Sequence, residues 1–198
     1  MPKPCGVPFI IGLGGSTRAG SSSELVLRAA LDEVGKLGAN TEILAGPDLV
    51  LPLYAPEDSD RDPRAQRLIE SMRRCDGVII ASPGYHGSIS GMIKNALDYV
   101  EDMRKDAVPY LDNRTVGCIA CAYGWQATGS LLAALRSIVH SLRGWPTPLG
   151  IAVNTTGALF DTDGLCVDAA LSSQLSIMAG QVVDNARRHM AARSDDPL

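Results

Sequence analysis

Pro8-Phe-Ile-Ile-Gly-Leu13-Gly-Gly-Ser16-Thr-Arg18-Ala-Gly-Ser21-Ser22-Ser23-Glu24 joins an apolar run to a turn rich in glycine and hydroxyl groups. Leu27, Leu31, Val34 and Leu37 follow at helical spacing, so the stretch reads as strand, polar loop and a helix starting near Glu24. The same alternation continues along the chain. Further aliphatic runs at Thr41 to Leu44, Gly77 to Ala81, Thr115 to Ala120 and Leu149 to Val153 carry little polar alternation, as expected of strands buried on both faces. Between them, Asp62-Pro63 supplies an N-cap and a proline at N1 for a second helix. A third is expected over Gly91 to Arg104. Leu131, Leu135, Ile138 and Leu142 mark a fourth, and Leu171, Leu175, Met178, Val182 and Ala186 lie on one face of a last helix over about Asp168 to His189. Ser194 to Leu198 reads as a frayed tail.

Strands alternating with helices predict a parallel sheet covered on both faces, here one α/β domain over residues 1–198. Five strands favour a flavodoxin-like three-layer sandwich with order 2-1-3-4-5 over the six-stranded dinucleotide fold. Either arrangement places a ligand beyond the carboxyl ends of the strands, so the loops after strands one, three and four should carry the chemistry.

The bulk properties exclude several classes. A hydrophobic fraction of 45% and a charged fraction of 20% describe an ordinary globular chain. A net charge of -4 gives no overall attraction for nucleic acid or anionic lipid. No uncharged apolar run approaches the roughly 18 residues needed to span a bilayer, and Met1 to Pro8 lacks the apolar segment of a secretory leader. A cytoplasmic location is expected. Five cysteines without framework spacing fit reduced thiols, and Cys118-Ile-Ala-Cys121 is discounted as a redox pair because residues three apart on a strand face opposite ways.

The first loop has the chemistry of a phosphate cradle. A helix N-terminus presents unpaired N–H groups and a partial positive charge. The hydroxyls of Ser16, Thr17, Ser21, Ser22 and Ser23 add donors, and Arg18 offers a planar fork suited to phosphate oxygens. A dinucleotide fingerprint fits poorly, since Gly12-Leu-Gly14-Gly-Ser-Thr17 ends in threonine and no acidic residue closes the second strand. A Walker A loop lacks its G-K-[ST] ending. A mononucleotide phosphate is the better guest.

Strand three runs into Pro83-Gly84-Tyr85-His86-Gly87-Ser88-Ile89-Ser90-Gly91, where three glycines permit close backbone approach to a flat ring and Tyr85 can border its face. Strand four runs into Tyr123-Gly124-Trp125, with a helix start expected near Gly129. Gly124 allows backbone contact with the same ring, and Tyr123 or Trp125 is a candidate for shaping the substrate side. His140 and His189 are read as structural or solvated.

Taken together, Gly15-Ser-Thr-Arg18-Ala-Gly-Ser21, Pro83-Gly-Tyr85-His86-Gly87 and Lys94-Asn95-Ala-Leu-Asp98 resemble the NADPH-dependent FMN reductase family of flavodoxin-like proteins. The resemblance covers about residues 7 to 155. It implies FMN as cofactor, with Ser16, Arg18, Ser21 and Ser23 at its phosphate and Pro83, Tyr85, His86 and Gly87 around its ring. Gly84 departs from the pattern, which often has a larger residue there. The implied reaction takes hydride from NADPH or NADH and passes electrons to free flavin, a quinone, an azo compound or oxygen. No side-chain acid or base is assigned, because the flavin itself performs the transfer. Two other readings stand beside it: a flavodoxin-type electron carrier, and a binding module that has lost its flavin.

A homo-oligomer, dimer or tetramer, is also expected, and a monooxygenase partner is compatible with the resemblance. In the third helix Ile93, Leu97 and Val100 suffice to pack on the sheet, whereas Met92, Ala96, Tyr99 and Met103 form a second apolar stripe that a monomer would expose.

Overall fold

In the computed structural model, which describes residues 6–195, strand β1 (Phe9–Gly14) pairs in parallel with β2 (Asn40–Ala45) on one side and β3 (Gly77–Tyr85) on the other. β3 pairs with β5 (Thr115–Ala122), and β5 carries two short parallel pieces, β6 (Trp145–Pro146) and β7 (Ile151–Asn154), along its far side. A two-residue strand β4 (Ser88–Ile89) folds back antiparallel on the end of β3. The sheet therefore has seven strands, ordered β2-β1-β3-β5-β6 with β4 and β7 off that path, rather than the five expected. The expected order survives in its parallel body. Two additions account for the difference: the fifth strand is split around Thr147–Gly150, and the third ends in a hairpin.

Helices α1 (Ser22–Lys36) and α5 (Ala169–Asp195) cover one face, burying Ile10, Ile79, Ile119 and Ile151 beneath Leu27, Val34, Leu175 and Met178. Helices α2 (Pro63–Arg74), α3 (Gly91–Asp98) and α4 (Trp125–Ser141) cover the other, over Ile11, Leu13, Val78, Ile80 and Cys118. Each fully buried aliphatic side chain contributes roughly 1.5–3 kcal/mol by leaving water. The caps match the sequence. Ser21 accepts from Glu24 N at 3.4 Å to start α1, and Asp62 accepts from Arg64 N at 2.9 Å with Pro63 at the first position of α2. Leu37 falls beyond the end of α1 and is exposed, so only the first three members of that stripe are core. Helix α5 continues to Asp195, so the expected frayed tail begins too early; its last three positions, with residues 1–5 and Cys5 among them, lie outside the described residues.

Cys118 and Cys121 are both buried and belong to opposite faces of the sheet. Burial pushes each thiol up to about 12, which keeps both protonated.

The second stripe on the third helix is a correction. The α-helix stops at Asp98 and passes into a 3-10 turn, Tyr99–Met103, and Ala96, Tyr99 and Met103 are buried within the same chain. The segment after β2 covers Tyr99. Asn95 accepts from Tyr54 N at 2.9 Å and donates to Pro52 O at 2.9 Å, while the Tyr99 hydroxyl donates to Pro52 O at 3.0 Å. Arg61 closes the clamp with two 2.8 Å bonds to Asp102, its guanidinium over the rings of Tyr54 and Tyr99. Hydrogen-bonded in this way, the Arg61 guanidinium holds the Asp102 carboxyl below its ordinary value against the opposing effect of burial. The apolar surplus that argued for self-association is thus satisfied from inside.

Candidate functional site

Gly14 pairs with Ala81 and Ala45, Pro83 with Cys121 and Ala122 with Asn154, so the loops after β1, β3, β5 and β7 emerge at one carboxyl edge. Neighbouring strands lie about 4.8 Å apart, which puts the first and third of these loops about 10 Å from each other. That is the span of a mononucleotide's phosphate and ring.

Ser16 to Gly20 form an open turn ahead of α1. The Ser16 hydroxyl accepts from Arg18 N at 3.2 Å, and the Arg18 guanidinium is exposed with no carboxylate partner among the described residues. Ser21 and Ser23 are buried with their hydroxyl oxygens 3.3 Å apart. Since Ser21 already accepts from Glu24 N, one hydroxyl proton lies between the two side chains and the other remains available to an anion. The N–H groups of Ser22 and Ser23 have no carbonyl one turn earlier within the helix.

Glu24, in the first turn of α1, braces this loop and is not among the residues that the sequence analysis assigns to the site. Its carboxylate accepts from Gly20 N at 3.1 Å and from Arg28 at 3.1 and 2.7 Å, so it fixes the turn while its charge is matched by a guanidinium. The spacing Ser21-x-x-Glu24 is that of a capping box, the signal that could have found it.

The second motif is a hairpin. β3 continues through Ser82, Pro83 and Gly84 to Tyr85, which pairs with Ser88 across a two-residue turn. His86 and Gly87 occupy that turn at φ +51° and +87°, the positive pair that a type I′ turn demands. Gly84 has a packing reason: a Cβ there would stand 3.0 Å from Leu131 Cδ2 and 3.3 Å from Ala122 Cβ, so glycine at this position lets α4 approach the strand. Ser82 holds the base of the hairpin, accepting from Ser90 N at 3.1 Å, and Ser90 caps α3.

The third loop is shorter than expected. α4 starts at Trp125 rather than near Gly129, capped by Gly124 at φ +89°. Tyr123 and Trp125 are exposed, and Gly124 N donates to Asn154 Oδ1 at 3.2 Å. Asn154, at the end of β7, is a second position that sequence reading missed. A cavity of about 460 Å³ opens between Gly87 and Tyr123–Ala127, inside the range of small-molecule sites. The first turn of α4 points its unpaired N–H groups into this region. The hairpin tip and the third loop therefore meet around one cavity, while the first loop stands beside it as an open, anion-suited surface.

A parallel sheet of this order with a serine- and arginine-bearing turn at the first helix and a ring-sized cavity at the third loop defines a flavodoxin-like flavoprotein. The profile of the NADPH-dependent FMN reductase family matches residues 8–158, and the chain belongs to that family, whose cofactors are FMN and a reduced nicotinamide nucleotide. It is similar to the NADPH azoreductase of Bacillus sp. strain OY1-2, at 29% identity over 143 residues, 71% of this chain and 72% of that one. It is 38% identical over 100 residues to the FMN-dependent NADPH-azoreductase of Staphylococcus saprophyticus, covering 50% of this chain and 45% of the relative. Matches of that second kind span under half the relative's length. Among solved structures, the flavoenzyme NAD(P)H:(acceptor) oxidoreductase FerB of Paracoccus denitrificans superposes with a TM-score of 0.77 at 20% identity, over 92% of this chain and 99% of that one.

Proposed function

We propose that this chain binds FMN at the carboxyl edge of its sheet, takes hydride from NADPH or NADH and delivers electrons to a small acceptor. One observation carries the reading: the open Ser16–Ser23 turn at the start of α1 stands two strands from a ring-sized cavity flanked by a hairpin tip and a second helix N-terminus. Ser16, Arg18, Ser21, Ser22 and Ser23 hold the phosphate. Pro83, Gly84, Tyr85, His86 and Gly87 flank one side of the ring, and Tyr123 and Gly124 the other. FMN, when bound, supplies a ring that accepts hydride from a nicotinamide and returns it as electrons to the acceptor. The protein's own part is to place that ring, leave one face open and set the charge around it. The α4 N-terminus favours negative charge at the cavity, which stabilises the reduced ring relative to the oxidised one.

The names of the relatives support an azo compound as one acceptor, beside quinone, flavin or oxygen. A cytoplasmic setting belongs to the same proposal, supported by the described cysteines being free thiols. No described helix is long and apolar enough to cross a membrane. Dimer or tetramer formation and a monooxygenase recipient rest on the family resemblance alone. The deciding experiment is anaerobic stopped-flow on FMN-loaded protein. Bleaching of the flavin by NADH or NADPH is expected; FMN that stays bound and coloured with both nucleotides would instead describe an electron carrier, and a protein that neither retains nor quenches FMN a binding module.

A further inference from the structure

A second cavity, of about 390 Å³, lies over the outer edge of the sheet between the first turns of α4 and α5, and the reading above leaves it without a role. It is not remote from the ring cavity. Trp125 lines both, and the Gly124–Asn154 hydrogen bond forms the floor of the partition, since Asn154 lines this second space. The indole is about two-thirds exposed, so an aromatic face is on offer to whatever enters.

The remaining wall is apolar at Leu159 and Leu171 and carries amides at Asn154 and Gln174. Its single charge is Asp168. That carboxylate accepts from Leu171 N at 2.8 Å, so it caps α5 and offsets the positive end of that helix. No lysine or arginine lines the cavity. Sulfonate, carboxylate and phosphate groups therefore meet a carboxylate with no cation to neutralise them, whereas an amino group meets an acceptor. The volume falls within the range of small-ligand sites.

We propose that this cavity receives one aryl group of the electron acceptor, uncharged or amino-substituted, stacked on Trp125 while the bond to be reduced lies over the neighbouring ring cavity. The proposal rests on that ring cavity being the seat of FMN. Its consequence is selectivity by charge: Asp168 turns away anionic rings.

The test separates the two claims. In a Trp145→Phe background Trp125 is the sole tryptophan, and its fluorescence in flavin-free protein reports a ligand in either cavity it lines, the two variants below assigning the signal to this one. The probes are azobenzene and its 4,4′-disulfonate, which share a skeleton and differ by a negative charge on each ring, so that neither orientation keeps the charge away from Asp168. The neutral dye should quench Trp125 and bind about tenfold more tightly than the disulfonate, the scale expected of one like-charge contact in a half-exposed site. Asp168→Asn keeps a capping oxygen and should bring the two affinities together. Ala170→Phe, at an exposed position on the cavity wall, fills space without adding a tryptophan and should weaken the neutral dye about tenfold while leaving FMN affinity unchanged. Absent quenching, equal affinities in the parent protein, or dye affinities indifferent to both variants would overturn the subsite. Loss of FMN affinity in Ala170→Phe would do so as well, by assigning the cavity to the cofactor. FMN that fails to bind the parent protein sinks the functional reading instead, and the dye titration still decides whether the cavity takes an aryl group.

Discussion

Arg18 stands exposed at the tip of the first loop with no carboxylate beside it among the described residues, and its five N–H donors face solvent. A charge-assisted pair with phosphate is the interaction such a side chain is equipped to make. Arg18→Ala is expected to weaken FMN binding by about 1.5–3 kcal/mol while changing folding stability by under about 0.5 kcal/mol. Titration of flavin fluorescence gives the first number and a urea curve the second. An unchanged dissociation constant would place the guanidinium in solvent and remove it from the cradle. Glu24 shows the complementary logic: a carboxylate beside an anion site is tolerable here because Arg28 binds it through two nitrogens.

Among the elements, the junction of β3 with α4 is the most sensitive to added volume. Gly84→Val would bring side-chain atoms against Leu131 and Ala122 and should cost about 1–3 kcal/mol, read as a fall in the urea midpoint at unchanged slope. An unaltered midpoint would mean that Leu131 moves aside freely. The same junction shows where sequence stops being informative. β3 reads as ending at Ala81 because Ser82-Pro83-Gly84 are strand breakers by composition, yet the ladder to β5 continues through Pro83 opposite Cys121. The start of α4 is hidden for a related reason, since Gly124 caps it without any side-chain hydrogen bond and leaves no serine, threonine or aspartate to read. By contrast α1 and α2 announce their caps in Ser21 and in Asp62-Pro63, and the phosphate-suited loop is legible because its function lies in contiguous residues. The covering of Tyr99 by the segment around Pro52 and Tyr54 joins residues more than forty positions apart, and helical periodicity carries no such information.

Across the whole molecule, the buried thiols on both faces of the sheet make stability dependent on alkaline pH. Burial raises Cys75 to about 11 and both Cys118 and Cys121 to about 12, above the ordinary 9.0. Below about pH 9 folded and unfolded chains both carry these protons, so neutral stability is untouched. Above it the unfolded chain ionises first and binds fewer protons, so stability falls as pH rises, by up to about 1.4 kcal/mol per pH unit for each thiol. Urea midpoints at about pH 8 and pH 10.5 measure the decline, which Cys121→Ala should lessen; a midpoint independent of pH over that window would contradict the burial of these groups. The split outer strand has a consequence of another kind. A sheet rim is a template on which a second chain can add a strand and begin a fibril. Here Pro146 and Pro148 remove two amide donors from the stretch between Trp145 and Ile151, and the rim changes from β6 to β7 across that gap. An incoming strand finds two short, interrupted ladders in place of one, and this side of the sheet is thereby guarded against growth from molecule to molecule.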